Sequence, residues 1–455
     1  MASNNARTMD MVHGPLVKNL WAFSVPIMIT TLLQMFFNAA DAIVVGRFAG
    51  EQALAAVGAT GSLCFLVVGL FNGLSVGSNV LIARLIGAQD HENIGKSVHT
   101  SMAMAMVSGA FLTIVGFFMS RPMLNLMDTP VDIIDGSTLY MRVYFIGTFF
   151  MMIYNFGSAI LRAKGDTKRP LIFLFVSGGI NVVLNAVFVI WLHWDVAGVA
   201  WATVISQAVA AVLVCWALIR DTDETHFEWK KLCLDRPMMW DIIKIGVPAG
   251  IQNMVFSLSN VVVQSSINSF GSSAIVAGNS AGANIESFAY IGMAAFNQAC
   301  MTFISQNVGA GNYKRIKEVF RTSMALDMAF TTVLGVGVWM FGEVLLGFYT
   351  TEPAVIEVGM IRLLWVAAFL VINAILEIFA SAMRGMGYSS MPAVLMIVGI
   401  CGVRLSWLWI VFPMINTLEC IYLCYPISWT VASVLLGIAW VKCYRELMNR
   451  VGTQA

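Results

Sequence analysis

The sequence predicts an all-α polytopic membrane protein, with twelve transmembrane helices in two six-helix lobes. Three observations carry that reading. Of 455 residues, 59% are hydrophobic and 11% are charged, against about 25% charged in soluble domains. Apolar runs of about 20 residues, enough to cross a bilayer, recur along the whole chain. The second half repeats the first at a fixed offset of 222 residues. The balance of 26 Lys and Arg against 25 Asp and Glu excludes a nucleic-acid binder, which needs a basic face.

Residues 1–19 are polar and hold Arg7 and Lys18. The apolar run from Leu20 to Val45 is too long for a signal-peptide core and reads as the first span. The twelve predicted spans are 20–46, 53–86, 97–119, 139–163, 170–192, 197–219, 242–268, 275–307, 319–348, 358–382, 391–412 and 418–441. The second and eighth are long enough to run past the bilayer into water. GAQDHENIGK after span 2 and KGDTKR after span 4 are loops. Residues 220–241 read as a cytoplasmic linker between an N-lobe, 20–219, and a C-lobe, 242–441. Residues 442–455 form a cytoplasmic tail.

Lys and Arg set the orientation. With the N-terminus inside, 21 basic residues fall on inner segments. Four fall on outer segments (Arg47, Arg121, Arg142, Arg362), and Arg404 lies within a span. Glu51, Asp128, Asp132, Asp135, Asp195, Glu343, Glu352, Glu357 and Glu419 fall outside. Both termini are therefore expected to be cytoplasmic, in a prokaryotic inner membrane.

The repeat places Val25-Pro26 on Val247-Pro248, Asn38 on Asn260 and Gly165 on Gly387. Seven of 17 positions match without a gap between 87–103 and 309–325. Six spans per unit is an even number, so both halves enter the membrane from the same side. That relation is a pseudo-twofold along the membrane normal, as in secondary transporters. Gly69, Gly73 and Gly77 form a small-residue ridge on span 2 suited to close helix contact. The eight cysteines form no CxxC pair and read as small apolar core residues.

An ionisable side chain inside a span is costly and marks function. Asp41, Glu286, Asp327, Glu377 and Arg404 are the candidates. At about 1.5 Å per residue, Asp41 in span 1, Asn185 in span 5 and Thr203 in span 6 lie at similar depth. Asn181 sits one helical turn from Asn185, on the same face. One carboxylate and three neutral oxygens form a plausible proton or Na⁺ site. Glu286 and Arg404 are expected to pair, offsetting the cost of a mid-membrane guanidinium. Asp327 is expected to snorkel at a helix end. Gln34 and Asn155 in the first half, and Asn373 and Glu377 in the second, are further polar candidates for contact with substrate. Met28, Met35, Phe36, Met151, Met152, Phe156 and Met254 lie near the polar cluster and suit an adaptable pocket.

Several stretches together resemble the multidrug and toxic compound extrusion (MATE) family. They are AADAIVVGRFAGEQALAAVG, ARLIGAQD, RAKGDTKRPL, SQNVGAGN and RGMGYSSMP, and the resemblance covers essentially the whole chain. It implies two six-helix lobes that exchange cationic, often aromatic compounds for inward Na⁺ or H⁺. In one subgroup an Asp on span 1 acts with Asn and Asp on span 5 and Thr on span 6. The matching positions are Asp41, Asn181, Asn185 and Thr203, with Asn185 standing where that pattern has Asp. Another subgroup uses a Glu on span 7 and an Asp on span 10. Phe256 and Asn373 stand there, with Glu377 one turn on.

The function expected is a secondary active multidrug efflux transporter working by alternating access of two lobes. Its partners would be cationic drugs or dyes and membrane lipid, without nucleic acid, and the chain would act as a monomer. No cofactor is implied beyond the coupling ion, H⁺ or Na⁺. The alternative is a lipid-linked oligosaccharide flippase of the wider superfamily, whose cavity should be rich in Arg and Lys. No phosphate loop, zinc motif or nucleophile elbow argues for an enzyme.

Overall fold

The computed structural model describes residues 9–127 and 129–452, without the side chains of residues 51, 54, 59, 62 and 450–452. Arg7, Asp128 and the side chains of Glu51 and Arg450, which entered the charge asymmetry, lie outside the described residues. Among the described residues all regular secondary structure is helical, with no strand. The long helices are α1 Leu16–Ala49, α2 Glu51–Gly87, α3 His91–Leu126, α4 Ile134–Ala163, α5 Lys168–Trp191 and α6 Asp195–Arg220. They continue with α7 Arg236–Asn268, α8 Ser273–Gly309, α9 Tyr313–Met340, α10 Pro353–Gly385, α11 Ser390–Ile415 and α12 Leu418–Gly452.

Eleven of the twelve contain a stretch apolar enough to cross a membrane. The exception is α8, where span 8 was expected. It is 37 residues long, but Asn279, Asn284, Glu286, Gln298, Gln306 and Asn307 interrupt its apolar surface. Most of these amides, and Glu286, are buried, so the helix spends its polarity inside the protein.

The 222-residue repeat is visible in the backbone. After α4, Gly165 takes φ +93°, and after α10, Gly387 takes φ +93°. In both turns the glycine N–H bonds the carbonyl three residues back and the next N–H reaches five back. The distances are 2.9 and 3.0 Å in one, 2.8 and 2.9 Å in the other. That is the Schellman closure, which needs a left-handed residue. Gln89 after α2 and Gly311 after α8 also match, at φ +54° and +68°.

The chain forms two compact units. Of the described residues, one unit holds 9–10 and Ile29–Gly250; the other holds Met11–Met28 and 251–452. The two changes of membership within helices fall two residues beyond the in-helix prolines Pro26 and Pro248.

Within the first unit, α2 meets the first half of α7 backbone to backbone. A Cβ on Gly73 would sit 2.4 Å from the Gly246 carbonyl oxygen, and one on Gly77 would sit 2.3 Å from that of Ile242. Gly69, the third member of the expected ridge, faces open space. Residues 221–235 pack onto the same unit. Phe227 is fully buried, and the Glu228 N–H donates to His99 Nε2 at 3.1 Å. Lys164, itself buried, donates to Asp221 and, at 3.0 Å each, to Asp223 and Thr225. Burial alone would push the Asp223 carboxyl up. The adjacent Lys164 ammonium and hydrogen bonds from Thr225 and Lys164 outweigh that and hold it below the ordinary carboxylate value.

In the second unit, the start of α1 contributes aromatic anchors. Phe23 meets Phe303 edge-on at 5.6 Å, and Trp21 meets Phe296 at 5.3 Å. Seven cysteines are buried as expected; Cys233 is exposed, because it lies on the segment between α6 and α7 rather than in a helix core.

Candidate functional site

A cavity of about 330 Å³ opens inside the first unit. Helix α1 presents Gln34, Asn38 and Asp41 to it, a spacing of four and three residues that keeps one face. Helix α5 adds Ser177 and Asn181, and α6 adds Thr203, Ser206 and Gln207. From α2 and α4 come Asn72 and Asn155. Met151 is the one lining residue among the soft side chains expected nearby. Phe36 is more than half exposed instead, and Met152 and Phe156 belong to the unit's apolar core.

The polar cluster comes together as its spacing predicted. Asn185 Nδ2 donates to Asp41 Oδ1 at 2.5 Å and to Asn181 Oδ1 at 3.1 Å. Asn185 is fully buried, and its Oδ1 has no hydrogen-bond partner. Thr203 lines the same cavity, with its hydroxyl donating to the Val199 carbonyl at 3.0 Å. Asn155 donates to Asn72 Oδ1 at 2.8 Å. Asn72 and Gln207 also line the cavity and were not among the neutral amides singled out from the sequence; their mid-span position was the available signal. The approach of α5 to α1 depends on Gly178, whose Cβ would sit 1.9 Å from the Phe37 ring.

The second unit has its own cavity, of about 310 Å³, and here the expected ion pair is corrected. Glu286 pairs with Arg362, not Arg404: Arg362 Nε and Nη2 donate to Glu286 Oε2 at 3.0 and 2.8 Å. Arg362 had been placed in an outer segment, but it is 8% exposed and lines this cavity with Arg404. Its Nη1 donates to Asn279 Oδ1 at 2.7 Å, which also accepts from the Tyr422 hydroxyl at 3.0 Å. Arg404 has neutral partners instead, Asn260 Oδ1 at 3.0 Å and Ser428 Oγ at 3.1 Å.

Glu377 and Asn373 line neither cavity. Asn373 is buried and its Oδ1 is unpartnered. On the same helix, Arg384 donates to Gln252 Oε1 at 2.6 Å. Asp327 does not snorkel. It is fully buried, with Thr331 donating to one carboxylate oxygen at 3.1 Å, because it faces the unit's interior rather than its rim.

Four π-helical turns flank these sites. Val45–Ala49 begins four residues after Asp41, and Ala186–Trp191 begins directly after Asn185. Leu363–Ala367 begins directly after Arg362, and Ile397–Gly402 ends two residues before Arg404. Such wide turns are frequent at functional sites.

Among the described residues, no three His, Cys, Asp or Glu side chains gather to hold a metal. For Na⁺ the donors on offer are the Asp41 carboxylate and the oxygens of Asn181 and Thr203. The Asn185 amide nitrogen now points at two of these, and its own orphaned oxygen would join them if the amide turned over. For a proton the fit is simpler, since Asp41 is the one carboxylate in the cavity.

The MatE family model matches residues 26–187 and again 248–410, the two halves of the repeat. The probable multidrug resistance protein YpnP of Bacillus subtilis (strain 168) is 28% identical over 364 residues, 79% of this chain and 80% of that one. The probable multidrug resistance protein YoeA of the same organism is 29% identical over 400 residues, 85% of each. A solved MOP superfamily transporter from Pyrococcus furiosus superposes with a TM-score of 0.90 at 21% identity, covering 97% of this chain and 99% of that one. That likeness carries the fold.

Proposed function

This chain belongs to the MatE family and is a multi-pass membrane transporter, not an enzyme; on that premise we propose that it is a secondary active multidrug exporter. It exchanges cationic, amphipathic compounds for inward H⁺ or Na⁺ by alternating access. The observation that supports this most is the lone carboxylate of Asp41 in a cavity otherwise lined by neutral amides, hydroxyls and apolar groups. A cation and the coupling ion can compete for that one negative charge. The two binding events are then linked through a coupling free energy.

No Lys or Arg lines this cavity, so the first unit offers no cationic site for a pyrophosphate-linked cargo. In the proposed topology, segments 1–19, 220–241 and 442–455 are cytoplasmic, with lobes 20–219 and 242–441 in the inner membrane, and the chain works as a monomer. Thr203 and Asn155 are proposed to contact ion or cargo through the shared cavity.

The deciding experiment is efflux of a cationic dye from proteoliposomes under separate H⁺ and Na⁺ gradients, for the unmodified chain and Asp41→Asn. Efflux driven by one gradient and lost in Asp41→Asn is the expected result. Undiminished efflux by Asp41→Asn would overturn the proposed role.

A further inference from the structure

The cavity of the second unit has the opposite electrostatics. Its lining contains two guanidiniums and one carboxylate. Glu286 is taken by Arg362, whose remaining contacts are Asn279 and the faces of Tyr422 and Tyr425. Arg404 is 1% exposed and forms no ion pair among the described residues. Two of its five N–H groups are used, on Asn260 and Ser428. Its charged plane lies over Tyr425 at 4.3 Å and near Phe256 at 5.5 Å. A buried cation with neutral partners alone is expensive in a membrane. Its cost is offset when an anion enters.

We propose that this second cavity binds an aromatic carboxylate, its oxygens on Arg404 and its ring against Phe256, Tyr290 and Tyr425. The guanidinium edge suits a two-oxygen acceptor, because its N–H groups form a rigid fork. Asn260 lines the cavity beside it, and with its Oδ1 on Arg404 its amide N–H groups offer a further neutral donor. At about 310 Å³ the space is at the small end of ligand pockets, enough for a bicyclic acid rather than a large drug. The site is independent of the Asp41 cluster, and its partner carries the opposite charge.

The test uses the purified full-length protein in detergent at constant ionic strength. Calorimetry follows binding of naphthalene-2-carboxylate and of the uncharged naphthalene-2-carboxamide, with thermal unfolding recorded for every variant. The acid should bind and the amide should bind at least tenfold more weakly. Arg404→Gln should lose at least tenfold in affinity for the acid. If Arg404→Gln does not fold, Ala283→Phe decides: it keeps the guanidinium but fills the cavity, and should abolish binding. Equal affinity for acid and amide, or full binding by Ala283→Phe, would overturn the proposal. Asp41→Asn should keep acid binding while losing dye efflux, so this proposal and the exporter reading fail separately.

Discussion

The two cavities are built at the same places in a duplicated chain, yet they carry opposite charge. Gln34, Asn38, Asp41 and Thr203 line the first; at the 222-residue offset Phe256, Asn260, Val263 and Tyr425 line the second. Only the asparagine is unchanged. The carboxylate has become valine and the threonine has become tyrosine. Arg404 comes from the position matching Val182, and Arg362 from that matching Tyr140. Duplication therefore kept the scaffold positions that face inward and freed their chemistry. The turn closures at Gly165 and Gly387, by contrast, kept both residue and conformation, because few residues tolerate that φ.

The contrast is broken most directly by giving the first cavity the second's residue. Asp41→Val should eliminate ion-driven dye efflux in vesicles while membrane protein levels stay normal; retained efflux would mean that the difference in charge has no functional weight. Next, Glu286→Gln leaves Arg362 buried without its counter-charge. Breaking such a pair costs about 3–5 kcal/mol, so this variant should melt far earlier in detergent. Joint replacement by Glu286→Leu and Arg362→Met should recover much of the loss. If the single variant melts like the parent, the pair does not hold the second cavity's shape.

A smaller effect is expected from Gly178→Ala. The new methyl overlaps the Phe37 ring, and overpacking of this kind costs about 1–3 kcal/mol. Adding Phe37→Leu should restore both stability and dye affinity, whereas no change on Gly178→Ala would mean that the α1–α5 approach is slack. The smallest effect concerns Asp223, outside the spans. Its folded carboxyl titrates below its ordinary value, so its stabilisation is present above about pH 4 and fades as pH falls through the lower folded value. Melting curves of Asp223→Asn and the parent should differ near neutrality and converge in acid. A constant difference would point to packing instead of charge.

The helices and the duplication were legible because hydropathy and offset are local or periodic properties. The Asp41, Asn181 and Asn185 cluster was legible because equal depth on helices of one lobe limits how far apart the groups lie. The Glu286 partner was not. Arg362 is the fifth residue of an expected span, so a count from the end reads it as interfacial, whereas α10 begins earlier and buries it. Partner choice across 76 residues depends on how α8 and α10 are rotated about their axes. Hydropathy leaves that rotation open. Asp327 failed for the same reason, since depth alone does not say which way a helix face points.

The four wide turns set how the chain tolerates changes in length. A π turn holds one residue more than an α turn, so deleting that residue leaves a regular helix with little loss of backbone hydrogen bonding. The extra residue is absorbed within about the same arc as an α turn, so the helix beyond such a deletion keeps its facing, whereas a deletion in a regular α turn rotates everything beyond it by about 100°. In α11, a one-residue deletion within Ile397–Gly402 would leave Arg404 facing Asn260 and Ser428, whereas a deletion in the α-helical turn of Val403–Ile410 would rotate the residues after it. Single-residue deletions in the wide turns should be mild in function, and single-residue deletions in the neighbouring α-helical turns severe. A library of single-residue deletions scored by efflux would show these turns as the points where the length of each helix can change by one residue.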